Sequence, residues 1–304
     1  MAKWIAEKII EILKNKSNKT REVKRITYLA IALLMSAVSS KAQEYYFDSD
    51  TEKAISTLLQ NKIKELSGNG GEVYVMETQT GRIVAKVKSG KTTDNEEWLG
   101  FYFAPTYLAL LETGKVHPTD TFDTGTGVYK DTYDHNWRRG GYGELTLEDA
   151  LMQSSKIGLI KATEKVGSID LTKYIDGHDI WALLTFYNTI ANGGKMVQPI
   201  GWGNTIVKNE QIASKENIGH LQRALRSNVT DRLGKQANSN KTEIAAKGRS
   251  FKLNSKITRM EYFGYFPAAC PKYTVAIVIE KDGMPAGSAL CAPLFKDIAE
   301  ILIK

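Results

Sequence analysis

The 304-residue chain has only two cysteines, Cys270 and Cys291, and four histidines, His117, His135, His178 and His220. Two thiols are too few for a disulfide framework, and neither stands at metal-ligand spacing. A single bridge between them is open, beside the reading as two unpaired, buried small apolar residues. The histidines form no HxH or HExxH group, so neither a metal centre nor any other cofactor is expected. No apolar run reaches the ~20 residues that a membrane-spanning helix needs. There are no internal repeats, which excludes a solenoid. Finally, no serine is followed three residues later by lysine, a spacing that would put a nucleophile and an amine base on one helical face.

Hydrophobic residues make up 42% and charged residues 25%, as in an ordinary globular protein long enough to bury a core. The net charge of +7 is concentrated: residues 1–42 carry net +6 and the remainder only +1. Basicity is therefore a property of the leader, and a nucleic-acid partner is not expected. Residues 1–25 are polar and basic, 26–42 hold the charge-free run Ile26–Val38 followed by Ser39-Ser40-Lys41-Ala42, and 43–304 form the remaining domain. The run fits a signal sequence cleaved before Gln43. The long basic stretch ahead of it fits an uncleaved anchor, which would tie the chain to the membrane. Either way the expected location is exported: periplasmic, or anchored in the inner membrane facing the periplasm. Trp4, Ile5, Ile9, Ile12 and Leu13 form one helical stripe, suited to a membrane face or a partner, or belonging to a solvated extension.

After the leader, apolar spacing predicts a helix over 49–66, with a break at 67–71. Two β-branched runs, 72–77 and 82–87, flank a four-residue turn containing Gly81 and predict a hairpin. An apolar stretch follows at 101–112. Thr146 with Glu148 or Asp149 marks a helix start, and 181–192 reads as a helix stopped by Gly193-Gly194. Residues 228–242 are polar and predict a mobile loop. The chain closes with strands over 260–266 and 273–280, a loop holding Pro285 and Pro293, and a helix over 294–302.

The stretch Gly100-Phe101-Tyr102-Phe103-Ala104-Pro105 resembles the active-site opening of penicillin-binding protein transpeptidase domains, G-S-x-F-K-P before an apolar helix. Glycine, the second aromatic and proline match, so the serine position falls on Phe101 and the lysine position on Ala104. Further matches follow in order: the 72–87 hairpin, the run from Gly141 to Ser155, Ile190-Ala191-Asn192-Gly193-Gly194, and Gly264 to Glu280. The resemblance implies an α/β fold of the serine β-lactamase/DD-peptidase type, a mainly antiparallel sheet flanked by helices. The first hairpin and last two strands should then share one sheet with the final helix against it.

The same resemblance implies three catalytic boxes, S-x-x-K, S-x-N and K-T/S-G. The first has neither its serine nor its lysine here. The second is Ser154-Ser155-Lys156, keeping the serine but exchanging an amide for a lysine, which has donors and no acceptor. A plain helix or capping role for Ser154 stands beside that reading. The third is Lys247-Gly248-Arg249-Ser250, with Lys247 in the position that binds the substrate carboxylate, or else a solvated turn. Lys156, Lys247 and Arg249 are expected to converge as a cationic rim, with Ser154 and Ser250 beside them and Phe101 largely buried. The expected role is an inactive binding or scaffolding module in peptidoglycan biology, its partner a stem peptide or a cell-envelope protein. The alternative is an active transpeptidase or β-lactam-binding enzyme with a displaced nucleophile. Thr205 and Lys208 form the only Thr-x-x-K, in a stretch that alternates like a strand.

Overall fold

The computed structural model describes residues 49–93, 101–177 and 179–303; the leader with its apolar run, residues 43–48, Gly100 and His178 lie outside them. Seven α-helices are described: α1 (Ser49–Leu66), α2 (Phe103–Glu112), α3 (Leu147–Met152), α4 (Lys156–Val166), α5 (Ile180–Ala191), α6 (Lys215–Asp231) and α7 (Ala292–Leu302). No helix among the described residues is long and apolar enough to cross a membrane.

Helix α1 has the predicted span, with Asp50 and Glu52 in its first turn and Lys64 in its last, each on the favourable end of the helix dipole. It buries Ile55 and Leu59 completely. At its end the amide of Gly68 closes on the carbonyl of Ile63 at 2.8 Å, satisfying one orphan acceptor.

Five longer strands build one sheet: β1 (Gly70–Glu77), β2 (Ile83–Gly90), β3 (Ala245–Lys252), β4 (Ile257–Phe266) and β5 (Tyr273–Asp282). Their order is β2-β1-β5-β4-β3, and every neighbouring pair is antiparallel. The hairpin and the closing strands thus share a sheet, as expected. Alternation along β4 sends Met260, Tyr262 and Phe266 to one face and Phe263 and Tyr265 to the other. The first face packs against α1 and α7 through residues such as Phe295 and Ile298. The second packs against α2 to α6. Sheet and helices on both faces are what the resemblance implied.

Helix α2 is buried from Phe103 to Leu111, as a helix apolar on all sides must be. Leu108 and Leu110 have no exposed surface, each contributing about 1.5–3 kcal/mol of burial. The helix begins at Phe103 rather than at Phe101, so Phe101 precedes the first turn.

Several expectations need correction. Residues 228–242 are a loop only in part: α6 runs through Asp231, a short 3-10 turn covers Lys235–Ala237, and Asn228, Ala237 and Thr242 are buried, while the remainder is largely exposed connecting chain. Within α6, Asn228 Nδ2 donates to the carbonyl of Ala246 at 2.8 Å and ties the end of that helix to β3. Residues 245–252 form an edge strand and not a solvated turn. Pro293 lies in the first turn of α7, where its missing N–H costs nothing. The two cysteines are both free, and only Cys291 is buried; Cys270 is exposed.

Candidate functional site

Helices α3 and α4 are joined by only three residues, and this junction sets the site. Thr146 caps α3 by accepting from the amide of Asp149 at 3.0 Å. Ser155 caps α4, its Oγ accepting from the amide of Gly158 at 3.0 Å and donating to Asp134 Oδ2 at 2.5 Å. Asp134 Oδ1 accepts from the amide of Ile157 at 3.3 Å. These buried bonds fix the residues that follow Ser154, which is itself left at φ +55, a conformation uncommon outside glycine. Ser154 is therefore neither a helix residue nor a cap; Ser155 is the cap, and Lys156 opens α4.

Edge strand β3 faces this junction. Lys247 is 3% exposed, its Nζ donating to Ser154 Oγ at 2.6 Å and lying 5.4 Å from the centre of the Phe103 ring. Burial without a compensating carboxylate pulls its pKa down to about 7. The second and third box positions, 93 residues apart, thus meet directly. Gly248, the next residue along β3, has no room for a side chain: a Cβ there would stand 2.4 Å from the Ser288 Cβ and 2.7 Å from the Tyr262 ring.

Arg249 is buried, not presented to solvent. Its Nε pairs with Glu261 Oε2 at 2.6 Å across the β3–β4 register, and its Nη1 donates to the carbonyl of Phe101 at 3.3 Å. Glu261 also holds Arg259 Nε at 2.8 Å, and Arg259 Nη1 reaches Glu280 Oε1 at 3.0 Å on β5. The amide and hydroxyl of Thr93 both donate to Glu280 Oε2 at 2.8 Å. Charge alternates along this ladder, which offsets a desolvation cost that none of the four ions could meet alone.

Phe101 is half-buried rather than largely buried, its ring 4.9 Å from that of Phe103. Ala104, 1% exposed in the first turn of α2, is a packing residue. Two adjoining spaces of about 320 and 420 Å³ share Phe103, Ser154, Arg249 and Ser250 in their walls. Lys247 and Arg139 line the first, Phe101 and Lys156 the second. The predicted residues other than Ala104 therefore meet on one groove. The expected rim of three open cations is not there, because Arg249 is neutralised by Glu261 and Lys247 is enclosed. Among the described residues no group of three or more histidine, cysteine or acidic side chains could hold a metal ion. Lys208, the middle residue of a short exposed strand over Val207–Asn209, pairs with Asp176 at 2.5 Å.

Sequence reasoning missed Glu261, Arg259, Glu280 and Asp134. A signal existed for two of them, since Arg259 and Glu261 share a face of an otherwise apolar strand and so demand partners. Asp134 had none.

The described domain is similar to several solved structures. A peptidoglycan glycosyltransferase from Burkholderia ambifaria superposes with a TM-score of 0.71 at 17% identity, covering 85% of this chain and 96% of that one. The transpeptidase domain of penicillin-binding protein 3 from Burkholderia pseudomallei gives 0.70 at 18% identity, covering 87% and 96%. The transpeptidase domain of the FtsI4 D,D-transpeptidase from Legionella pneumophila gives 0.61 at 18%, covering 85% and 98%. No curated protein sequence matches the chain. The family model described as the penicillin binding protein transpeptidase domain matches residues 104–180 and 181–300, well over half of the chain. With that match and the shared fold, the chain belongs to the penicillin-binding protein transpeptidase domain family.

Proposed function

We propose that this domain does not carry out D,D-transpeptidation and works in the cell envelope as a binding or scaffolding module of peptidoglycan biology. One observation carries the reading: Phe101 and Ala104 offer neither nucleophile nor base where the family pattern has its serine and lysine. Their surroundings support it. Arg249 fills the place a glycine would leave open and is tied to the backbone of Phe101. Gly248 supplies no hydroxyl and is too crowded to be replaced by a residue that would.

Export belongs to the same proposal, with the basic leader and Ile26–Val38 delivering the domain to the periplasm, cleaved or anchored. The groove beside Ser154 is the binding surface. Its occupant is a carboxylate-bearing peptide, from a peptidoglycan stem or the C-terminus of an envelope protein, drawn by Lys156 and Arg139 in a salt-sensitive way. The test is an NMR titration with a D-alanyl-D-alanine peptide. Shifts centred on Ser154 and Lys156 that weaken in Lys156→Ala are expected; equal or absent shifts in both proteins leave the scaffold role alone.

A further inference from the structure

Ser154 and Lys247 serve the binding role only as groove wall, yet their geometry suits chemistry. Ser154 Oγ stands 2.6 Å from Lys247 Nζ. The left-handed turn at Ser154 is held on both sides: its own amide donates to the Leu151 carbonyl at 3.1 Å and that of Ser155 to the Ala150 carbonyl at 2.8 Å. Such a turn points a side chain off the helix surface and into the groove. Lys247 has burial as its one resolved perturbation and no carboxylate to fix its charge, so roughly half of its amines are neutral near pH 7. A neutral amine can accept the hydroxyl proton across the contact it makes as a donor when charged. Tyr262 Oη and Asn228 Oδ1 are buried on the same space, and neither has a hydrogen-bond partner among the described residues. They offer a bound molecule one donor and one acceptor.

We propose that Ser154 and Lys247 form a serine–lysine dyad that hydrolyses small carboxylic esters, an activity separate from transpeptidation. Ser154 Oγ bonds to the acyl carbon while its proton passes to Lys247 Nζ. The ester C–O bond then breaks, and that proton leaves with the alcohol. Water attacks the acyl-serine, giving its proton to Lys247, and the serine oxygen departs as its bond to the acyl carbon breaks. That proton returns to Ser154, so ester and water become acid and alcohol. The space of about 320 Å³ restricts the acyl donor to a small one.

The experiment treats the full chain with a fluorophosphonate probe, maps the adduct by mass spectrometry, and follows p-nitrophenyl acetate hydrolysis from pH 5.5 to 9. Expected are an adduct on Ser154 and a rate that rises through pH 7 and levels above it. Ser154→Gly, which suits the left-handed backbone and keeps the fold, loses both. Lys247→Met slows labelling at least tenfold, with folding checked by circular dichroism. An unlabelled Ser154 in folded protein, or equal labelling in Lys247→Met, overturns the dyad and leaves the binding role untouched. A penicillin adduct on Ser154 has the opposite effect, ending the non-acylating reading while the dyad stands.

Discussion

Arg249 Nη1 donates to the carbonyl oxygen of Phe101 at 3.3 Å, while Arg249 Nε holds Glu261 at 2.6 Å. The residue at the third-box glycine position is thereby bonded to the residue at the first-box serine position. Both substitutions belong to one packed arrangement, with the guanidinium also 5.0 Å from the ring of Phe251 and 5.8 Å from that of Tyr102.

Arg249→Ala removes one of two cations from a carboxylate that is 1% exposed. The expected cost is about 2–4 kcal/mol in urea unfolding, below that of a fully orphaned ion because Arg259 remains. Adding Glu261→Gln should recover part of the loss. A change under about 0.5 kcal/mol, the size of an ordinary surface substitution, would show that the ladder has no structural weight.

Purified protein incubated with fluorescent penicillin, denatured and run on a gel should carry no covalent label. Restoring the first box by Phe101→Ser with Ala104→Lys should not rescue labelling, because Gly248 and Arg249 are unchanged. Ala104→Lys also places an ammonium at a site only 1% exposed, for roughly 3 kcal/mol of lost stability. A stoichiometric adduct on the parent protein counts against the proposed function, whereas one on the double variant alone shows that Gly248 and Arg249 do not by themselves block acylation.

Lys247 gives stability a pH dependence of known sign. Its folded pKa of about 7 lies below the unfolded value of 10.5, so between these pH values the unfolded chain binds more protons and stability rises with pH. Below pH 7 the full penalty applies, on the order of 4 kcal/mol. Lys247→Met should therefore be more stable than the parent at pH 6 and lose that advantage by pH 10. Parallel stability curves from pH 6 to 10 would rule this out.

The two thiols should react apart. Cys270 is exposed, whereas Cys291 is fully buried at the N-terminus of α7 with its pKa pushed up to about 12 by burial. Ellman's reagent on native protein should titrate one thiol and in denaturant two. Two fast thiols in the native state would contradict the burial of Cys291.

The chain by itself determined the elements whose cause is local. The span of α1 follows from its apolar spacing, the start of α3 from Thr146 capping Asp149, and the hairpin from β-branched runs around Gly81. It also determined which residue types stand at the three boxes and that the basic charge belongs to the leader. Local composition misled in part of 228–242, where Asn228 bonds to Ala246, Arg232 to Asp149 and Ser239 to Glu300, contacts that a scarcity of apolar side chains does not reveal. Only the tertiary structure decided what the cations do. Arg249 and Glu261 face each other because β3 and β4 pair in one register, and a shift by a single residue would point them to opposite faces. Lys247 reaches Ser154 because an edge strand passes a helix junction 93 residues away in sequence. Its lowered pKa comes from desolvation, a property of the assembled core that no stretch of sequence carries alone.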